Sequence, residues 1–515
     1  MSAISLVYVA VALLLTVYAL NSLIMSILFI SHRSESQPQA VLRRFPRVTV
    51  QLPIFNEALV IDRLIHSVVQ LDWPRDRLQI QVLDDSTDET TSIARACVDR
   101  YRAEGIDIQL VRRADRSGFK AGALKEGLKQ ATGELIAIFD ADFVPEPDWL
   151  HKTVPYFDDR PRLGMLQTRW THLNRDYSLL TRAQAIALDG HFAVEQTARH
   201  RSGLLMNFNG TAGIWRRSCI GDSGGWQTDT ICEDLDLSYR AQLGGWQCLF
   251  LPDVTASAEI PPQLAAFKRQ QFRWAKGSIQ CFTKLAKSVA TSNLPLVVRW
   301  QGLVHLSAYL VHPLLLLSLL VTLPLMLVLD SSLISLGFIS LLSIGPPLMY
   351  ALSQHYLCPR QWFRRYAYMP ALMLLGTGIA LNNTRGVVEA LLGISNVFQR
   401  TPKFRIEGRG GQWLDSQYTL PFSGAIIAEL ALTAYAIVTV VTAWSRGHLH
   451  IVPFLMLYVG GFGYVAGQGL WEARYDLARW FQRLLSRVLP SRGLAARRQP
   501  PTIGYQRPVS HITQR

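Results

Sequence analysis

Residues 4–30 contain no charged side chain. Coiled as a helix, such a run reaches roughly 40 Å, more than the roughly 30 Å hydrocarbon core of a bilayer. It has no basic start and no small-residue cleavage site, so it does not read as a secretory leader. The first basic residues, His32, Arg33, Arg43 and Arg44, follow it, which predicts an anchor with its C-terminal end in the cytoplasm. Apolar segments return at 304–329, 331–352, 369–392, 423–444 and 449–470. Only residues 330–332 separate the first two, which predicts an antiparallel hairpin there. Segment 369–392 is different: Asn382, Asn383, Arg385 and Glu389 would be costly at mid-bilayer, and basic clusters lie on both its sides. It is expected to be re-entrant or to lie in the interface, leaving five spans, with six as the alternative. The expected order is an anchor over 1–32, a cytosolic domain over 45–260, amphipathic interface helices over 261–290, and a transmembrane domain over 300–471 that includes the interface element 366–397. A basic cytoplasmic tail, 472–515, follows.

The net charge of +14 asks for anionic partners. Its basic residues concentrate at the membrane flanks and in the tail, where anionic lipid suffices, and nucleic acid is not needed to explain them. The six cysteines stand apart with no Cys-x-x-Cys pair, so neither a zinc site nor a disulfide framework is expected.

Between the membrane segments the pattern changes to an α/β domain. Apolar strand-like runs at 48–55, 80–85, 108–111 and 135–142 alternate with helical stretches near 57–71, 89–101 and 119–131. That alternation predicts parallel strands covered on both faces, with ligands beyond their carboxyl ends. No Gly-x-Gly-x-x-Gly follows the first strand and no Gly-x-x-x-x-Gly-Lys-Ser/Thr occurs, which disfavours a dinucleotide dehydrogenase and a P-loop ATPase. Two strands instead end in acid: Asp84-Asp85 and Asp140-Ala141-Asp142. The first pair suits acceptance from a base N–H or ribose hydroxyls. The second offers paired hard oxygens for Mg2+ or Mn2+ on a diphosphate.

Three further stretches carry two readings each. Lys120, after Ser117-Gly118-Phe119, opens either a phosphate cradle or a surface helix. Glu233-Asp234 starts a helix, where a carboxylate either caps the backbone or acts as a general base. Gln270-x-x-Arg273-Trp274 lies in the amphipathic stretch 264–285, which suits a bilayer surface and also the stacking of a sugar on an indole. Asn209-Gly210-Thr211 is a small-residue turn that a ligand can approach closely.

Taken together and in this order, Asp84/Asp85, Asp140-x-Asp142, Glu233-Asp234 and Gln270-x-x-Arg273-Trp274 resemble the motifs of the processive family 2 glycosyltransferases, the cellulose-synthase-like enzymes. The strings QLPIFNE, VLDDSTD, FKAGAL, FNGTAGIWR and EDLDLSYRAQLGGW are most similar to the glucomannan (β-mannan) synthase-like branch. The resemblance implies a GT-A type nucleotide-sugar-binding domain with a Rossmann-like mixed sheet, inserted in an α-helical multi-span membrane domain. It implies nucleotide binding by Pro53, Asn56, Glu57, Asp84, Asp85 and Lys120, metal on Asp140 and Asp142, and catalysis by Asp234 beside Glu233. It places the acceptor and diphosphate on Asn209, Gly210, Thr211, Gln270, Arg273 and Trp274. A gating-like loop over 398–410 would act through Phe398, Thr401 and Lys403. Two departures stand out: Cys232 replaces the threonine that precedes the Glu-Asp pair, and Arg400 replaces a valine in the loop.

The implied activity is an inverting transfer that elongates a β-linked hexose polymer from GDP-mannose or UDP-glucose and carries it across the membrane. An accessory export subunit is compatible with this. The implied setting is a multi-pass membrane protein with its catalytic domain in the cytoplasm, at the inner membrane in a bacterium. Transfer of one sugar to a membrane lipid is the alternative; a non-catalytic channel that kept the fold is a third, disfavoured by the intact acids.

Overall fold

The computed structural model describes residues 3–35, 40–328, 344–395, 398–414, 416–421 and 423–488, of 476–488 the backbone alone. The turn and the first part of the second segment of the expected hairpin, 331–352, and the tail beyond 488, lie outside the described residues.

The four expected strands are present as β1 (Val48–Ile54), β2 (Leu78–Asp84), β3 (Ile108–Arg112) and β4 (Leu135–Ile138), mutually parallel. Helices Ile61–Val69, Thr90–Ala103 and Phe119–Gln130 make the crossovers. The sheet continues through β5 (Val144–Pro145), β6 (Leu163–His172), β7 (Gly213–Arg216) and β8 (Gln247–Ala258), in the order β3-β2-β1-β4-β7-β6-β8-β5. β7 runs antiparallel to both β4 and β6, so the sheet is mixed. The purely parallel reading holds for its first half only.

The strands are buried on both faces but not apolar on both. Val48, Val50, Leu52, Ile80 and Val82 join one core with Ile61, Leu64, Ala94 and Trp149. On the opposite face of β1 and β2, paired residues form polar rungs. Thr49 Oγ1 donates to Gln79 Oε1 at 2.8 Å and Gln51 Nε2 to Gln81 Oε1 at 3.0 Å. Beyond them a second core gathers Leu124, Phe192, Trp215, Trp226 and Leu237.

Among the described residues four helices are long and apolar enough to cross a membrane: Ala3–His32, Ala308–Val328, Ala425–Ser445 and Leu449–Tyr475. Large apolar side chains such as Leu13, Ile427, Val441 and Trp444 face outward on them, as in a lipid-facing surface, and the chain is a membrane protein. Segment 369–392 is broken at Ile379 into Met369–Gly378 and Ala380–Leu391. At about 15 and 18 Å, neither piece spans a bilayer. The second lies along the helix Leu264–Ala290, where its polar residues find partners: Asn382 Nδ2 donates to the Lys268 carbonyl at 2.9 Å, and Glu389 pairs with Lys276 at 3.1 Å.

The break also brings two backbones together. A Cβ on Gly378 would stand 2.3 Å from the carbonyl oxygen of Gly461, a backbone atom that cannot swing away. Gly378→Val is therefore expected to lower the thermal midpoint of the purified protein, with an overpacking cost of about 1–3 kcal/mol; an unchanged melting curve would contradict this crossing.

Candidate active site

The carboxyl ends of β1, β2 and β4 open into a cleft of about 200 Å3, bounded by Phe55, Glu57, Asp85, Lys120, Asp140, Asp142, Asp234 and Trp274 among others. Pro53 also lines it. The nucleotide end divides its residues between contact and support. Asp84 is buried, accepting from the Ser86 amide at 2.8 Å and Thr91 Oγ1 at 2.7 Å, so it braces the loop after β2 and does not face the cleft. Asp85 does face it, held by Arg113 Nε at 2.9 Å. Asn56, at φ 55°, joins the ends of β1 and β2 through Ser86 and Thr87 and stays outside the cleft.

Lys120 sits at the centre. Its Nζ is 2.6 Å from Asp140 Oδ1, donates to the Gly210 carbonyl at 2.8 Å and lies 3.8 Å from Glu233 Oε1. Burial alone would lower its pKa, but Asp140, Glu233 and Asp234 outweigh burial and raise it. The surface-helix reading of Lys120 is thereby excluded. Thr211 is buried and accepts from the Asp140 amide at 2.9 Å; it fixes the metal-type motif from behind.

Glu233 and Asp234 open the helix Glu233–Leu243. Burial raises the pKa of both against the pull of Lys120; Asp234 and Asp140 raise that of Glu233 further, and Asp140 that of Asp234. Asp234 Oδ1 accepts from the Leu235 amide at 2.8 Å. Its Oδ2 is so close to Gly210 (φ 83°) that an added Cβ there would lie 2.9 Å from it. Acids from β4 and from this helix thus converge on one lysine.

Beyond Asp234, a second chamber of about 410 Å3 runs from Asn209, Gln270 and Trp274 toward Tyr309, His312, Leu375 and Ile379 of the membrane region. Its wall includes a π-helical turn, Gly190–Gln196. There Asn209 Nδ2 donates to His191 Nε2 at 2.9 Å, and His191 Nδ1 faces Glu195 at 3.1 Å.

The loop from Phe398 reaches into the cleft from the membrane side. Phe398 stacks on Phe119 with centroids 5.6 Å apart, Arg273 Nη2 donates to Thr401 Oγ1 at 3.0 Å, and Lys403 Nζ is 2.7 Å from Asp142 Oδ2. Arg400 meets Glu57 at 2.9 Å, and burial pushes the Glu57 carboxyl up to about 8. Glu259 anchors the loop by accepting from the amides of Phe404 at 2.8 Å and Ile406 at 3.3 Å. Sequence reading missed Glu259 and His191. A glutamate at the end of an apolar strand, before Ile260-Pro261-Pro262, was the one signal available for Glu259. Arg116, which heads the candidate phosphate-cradle stretch 116–122, lies with its guanidinium 3.4 Å over the Phe55 ring.

Asp140 and Asp142 each hold a lysine ammonium, so their oxygens already serve cations. Among the described residues no third acid, histidine or cysteine joins them in a metal-binding group. Their hard carboxylate oxygens fit a divalent ion, which Asp140 and Asp142 would hold.

A mixed sheet with acids at its strand ends, set against membrane helices, is the architecture of a GT-A-like glycosyltransferase. Residues 46–277 match the family described as "Glycosyltransferase like family 2", and the domain they form belongs to that family. Its relatives include glucomannan 4-beta-mannosyltransferase 2 of Arabidopsis thaliana, 45% identical over 253 residues, 48% of this chain and 47% of the relative. A probable glucomannan 4-beta-mannosyltransferase 7 of Oryza sativa subsp. japonica is 43% identical over 255 residues, 48% and 43% of the two chains. The chain spans about half the length of the curated relatives it matches. Among solved structures, a mannosyltransferase from Pyrobaculum calidifontis in complex with GDP-Man and Mn2+ aligns with a TM-score of 0.52 over 75% of this chain and 99% of its own, at 23% identity. That similarity is one of fold.

Proposed function

We propose that the protein is an inverting hexosyltransferase that elongates a β-mannan or glucomannan chain, with GDP-mannose as donor. The observation that carries this reading is the convergence of Asp140, Glu233 and Asp234 on Lys120 at the mouth of a chamber that continues into the membrane helices. The mannosyl specificity is supported by the two plant relatives, and the GDP moiety by the nucleotide in the Pyrobaculum calidifontis complex. In this reading the domain faces the cytoplasm, and segment 366–397 lies in the interface.

The donor's diphosphate would lie against Lys120, Arg273 and Lys403, whose charges favour its departure. Asp140 and Asp142 would hold Mg2+ or Mn2+, which supplies further neutralisation of the leaving nucleoside diphosphate. Trp274 and Gln270 would seat the terminal sugar of the acceptor. Asp234 would take the proton from its attacking hydroxyl while that oxygen bonds to the anomeric carbon and the diphosphate oxygen leaves from the opposite face. One base and a stabilised leaving group invert the configuration without a covalent intermediate.

Membranes containing the protein should convert labelled GDP-mannose into a long polymer that a β-1,4-mannanase digests. A glycolipid as sole product, or acceptance of UDP-glucose alone, would overturn the assignment. The pH profile offers a second check. A base must be ionised, and burial raises the Asp234 pKa, so activity is lost as pH falls, starting well above the value of about 4 ordinary for Asp. Full turnover at about pH 5 would contradict this environment for the base.

A further inference from the structure

Behind Arg273, on the side away from the donor cleft, lies a separate cavity of about 670 Å3. Its walls are the helices Leu264–Ala290 and Ala380–Leu391 and the adjoining ends of two spans, at Ile426 and Glu429 of one and Gly469 and Glu472 of the other. Gln399 and Leu420 roof it; Gln263 brackets Leu420, donating to its carbonyl at 3.0 Å and accepting from its amide at 3.1 Å.

The charges around this space do not cancel. Lys268 is taken by Glu429, and Lys276 and Arg385 share Glu389. Glu472 accepts from the amides of Leu264 at 2.7 Å and Ala265 at 3.4 Å. That leaves Arg269 and Arg273, one turn apart on the same helix, with no carboxylate at ion-pair distance among the described residues. Arg273 also borders the donor cleft, whereas Arg269 borders this cavity and not the cleft. The one hydrogen bond of Arg269 among the described residues is to the Arg400 carbonyl at 3.4 Å. Burial, then Arg273 and Arg400, pull its pKa down, as expected of a guanidinium lacking an anion.

We propose that this cavity binds a phosphate group, held by Arg269 with Arg273 behind it. A guanidinium fork matches phosphate oxygens in shape and charge. The position where two spans end favours the headgroup of an anionic lipid as the source, and Phe272, Leu381, Ile394 and Ile426 give its glycerol and first methylenes an apolar wall. A phosphate there would brace the roof segment that carries Thr401 and Lys403 into the cleft. The assignment does not depend on which sugar is transferred.

The test uses the full chain in nanodiscs of phosphatidylcholine with phosphatidylglycerol, reading retained lipid by native mass spectrometry, and pyrophosphate binding by calorimetry in phosphatidylcholine alone. The wild type is expected to retain phosphatidylglycerol selectively, Arg269→Ala to lose it, and Arg269→Lys to restore it, with nucleotide binding in the cleft showing that each variant is folded. Should retention be indifferent to Arg269 while Arg269→Ala loses part of the pyrophosphate binding, the phosphate is a soluble one. Equal lipid retention and equal pyrophosphate binding in wild type, Arg269→Ala and a second variant, Arg269→Gln, would overturn the site.

Discussion

Asp234→Asn is expected to cut polymer synthesis by about 10²–10⁴-fold, the range a positioned general base contributes, while leaving donor binding in place. Asn keeps the shape of the side chain, and its Oδ1 can still accept from the Leu235 amide as the carboxylate does at 2.8 Å. What it loses is the capacity to take a proton. Removing one buried carboxylate also relieves the crowding that raises the pKa of Glu233, so the variant should be no less stable than the parent. Turnover measured with saturating GDP-mannose, alongside nucleotide affinity and a melting curve, separates these effects. Polymer formed at the parental rate would remove Asp234 from the chemistry.

Gly210→Ala is expected to cost about tenfold to a hundredfold in kcat with a small change in donor affinity. Two penalties combine at this position. At φ 83° an L-residue is strained by about 1–2 kcal/mol, and the new methyl would stand 2.9 Å from Asp234 Oδ2 and 3.3 Å from Lys120 Nζ. The carboxylate must move, and a misplacement of about 1 Å at a reacting group costs on the order of a hundredfold. Rates near the parental value, with an intact fold, would show that Asp234 does not need the position seen here.

Much of this site was legible because its residues sit where secondary structure begins or ends. Asp85 follows β2, Asp140 and Asp142 follow β4, and Glu233 and Asp234 start a helix; a break in hydrophobic pattern marks each one. Which neighbour in a motif turns toward the ligand was not legible. Asp84 and Asp85 look alike in sequence, yet the pleat sends the first into the loop and the second into the cleft. Nor was the second half of the sheet read as strands. β6 and β8 carry Arg169, His172 and Asp253 among their apolar residues, and β7 is only four residues long. The pairings of Arg400 with Glu57 and of Lys403 with Asp142 join residues far apart in the chain, and no local periodicity reports such contacts. The arginine in place of the loop valine has a partner in the fold, Glu57, that only the tertiary structure reveals.

The amide rungs between Thr49 and Gln79 and between Gln51 and Gln81 have a bearing on how the domain assembles. Sliding β1 past β2 by a single residue would turn the Thr49 hydroxyl and the Gln51 amide into hydrocarbon and bring valines against the opposite layer. Alignments of that kind are penalised as soon as the strands meet. The heights at which Phe55 and Asp85 emerge from the sheet are thereby set by chain pairing, ahead of any encounter with a nucleotide.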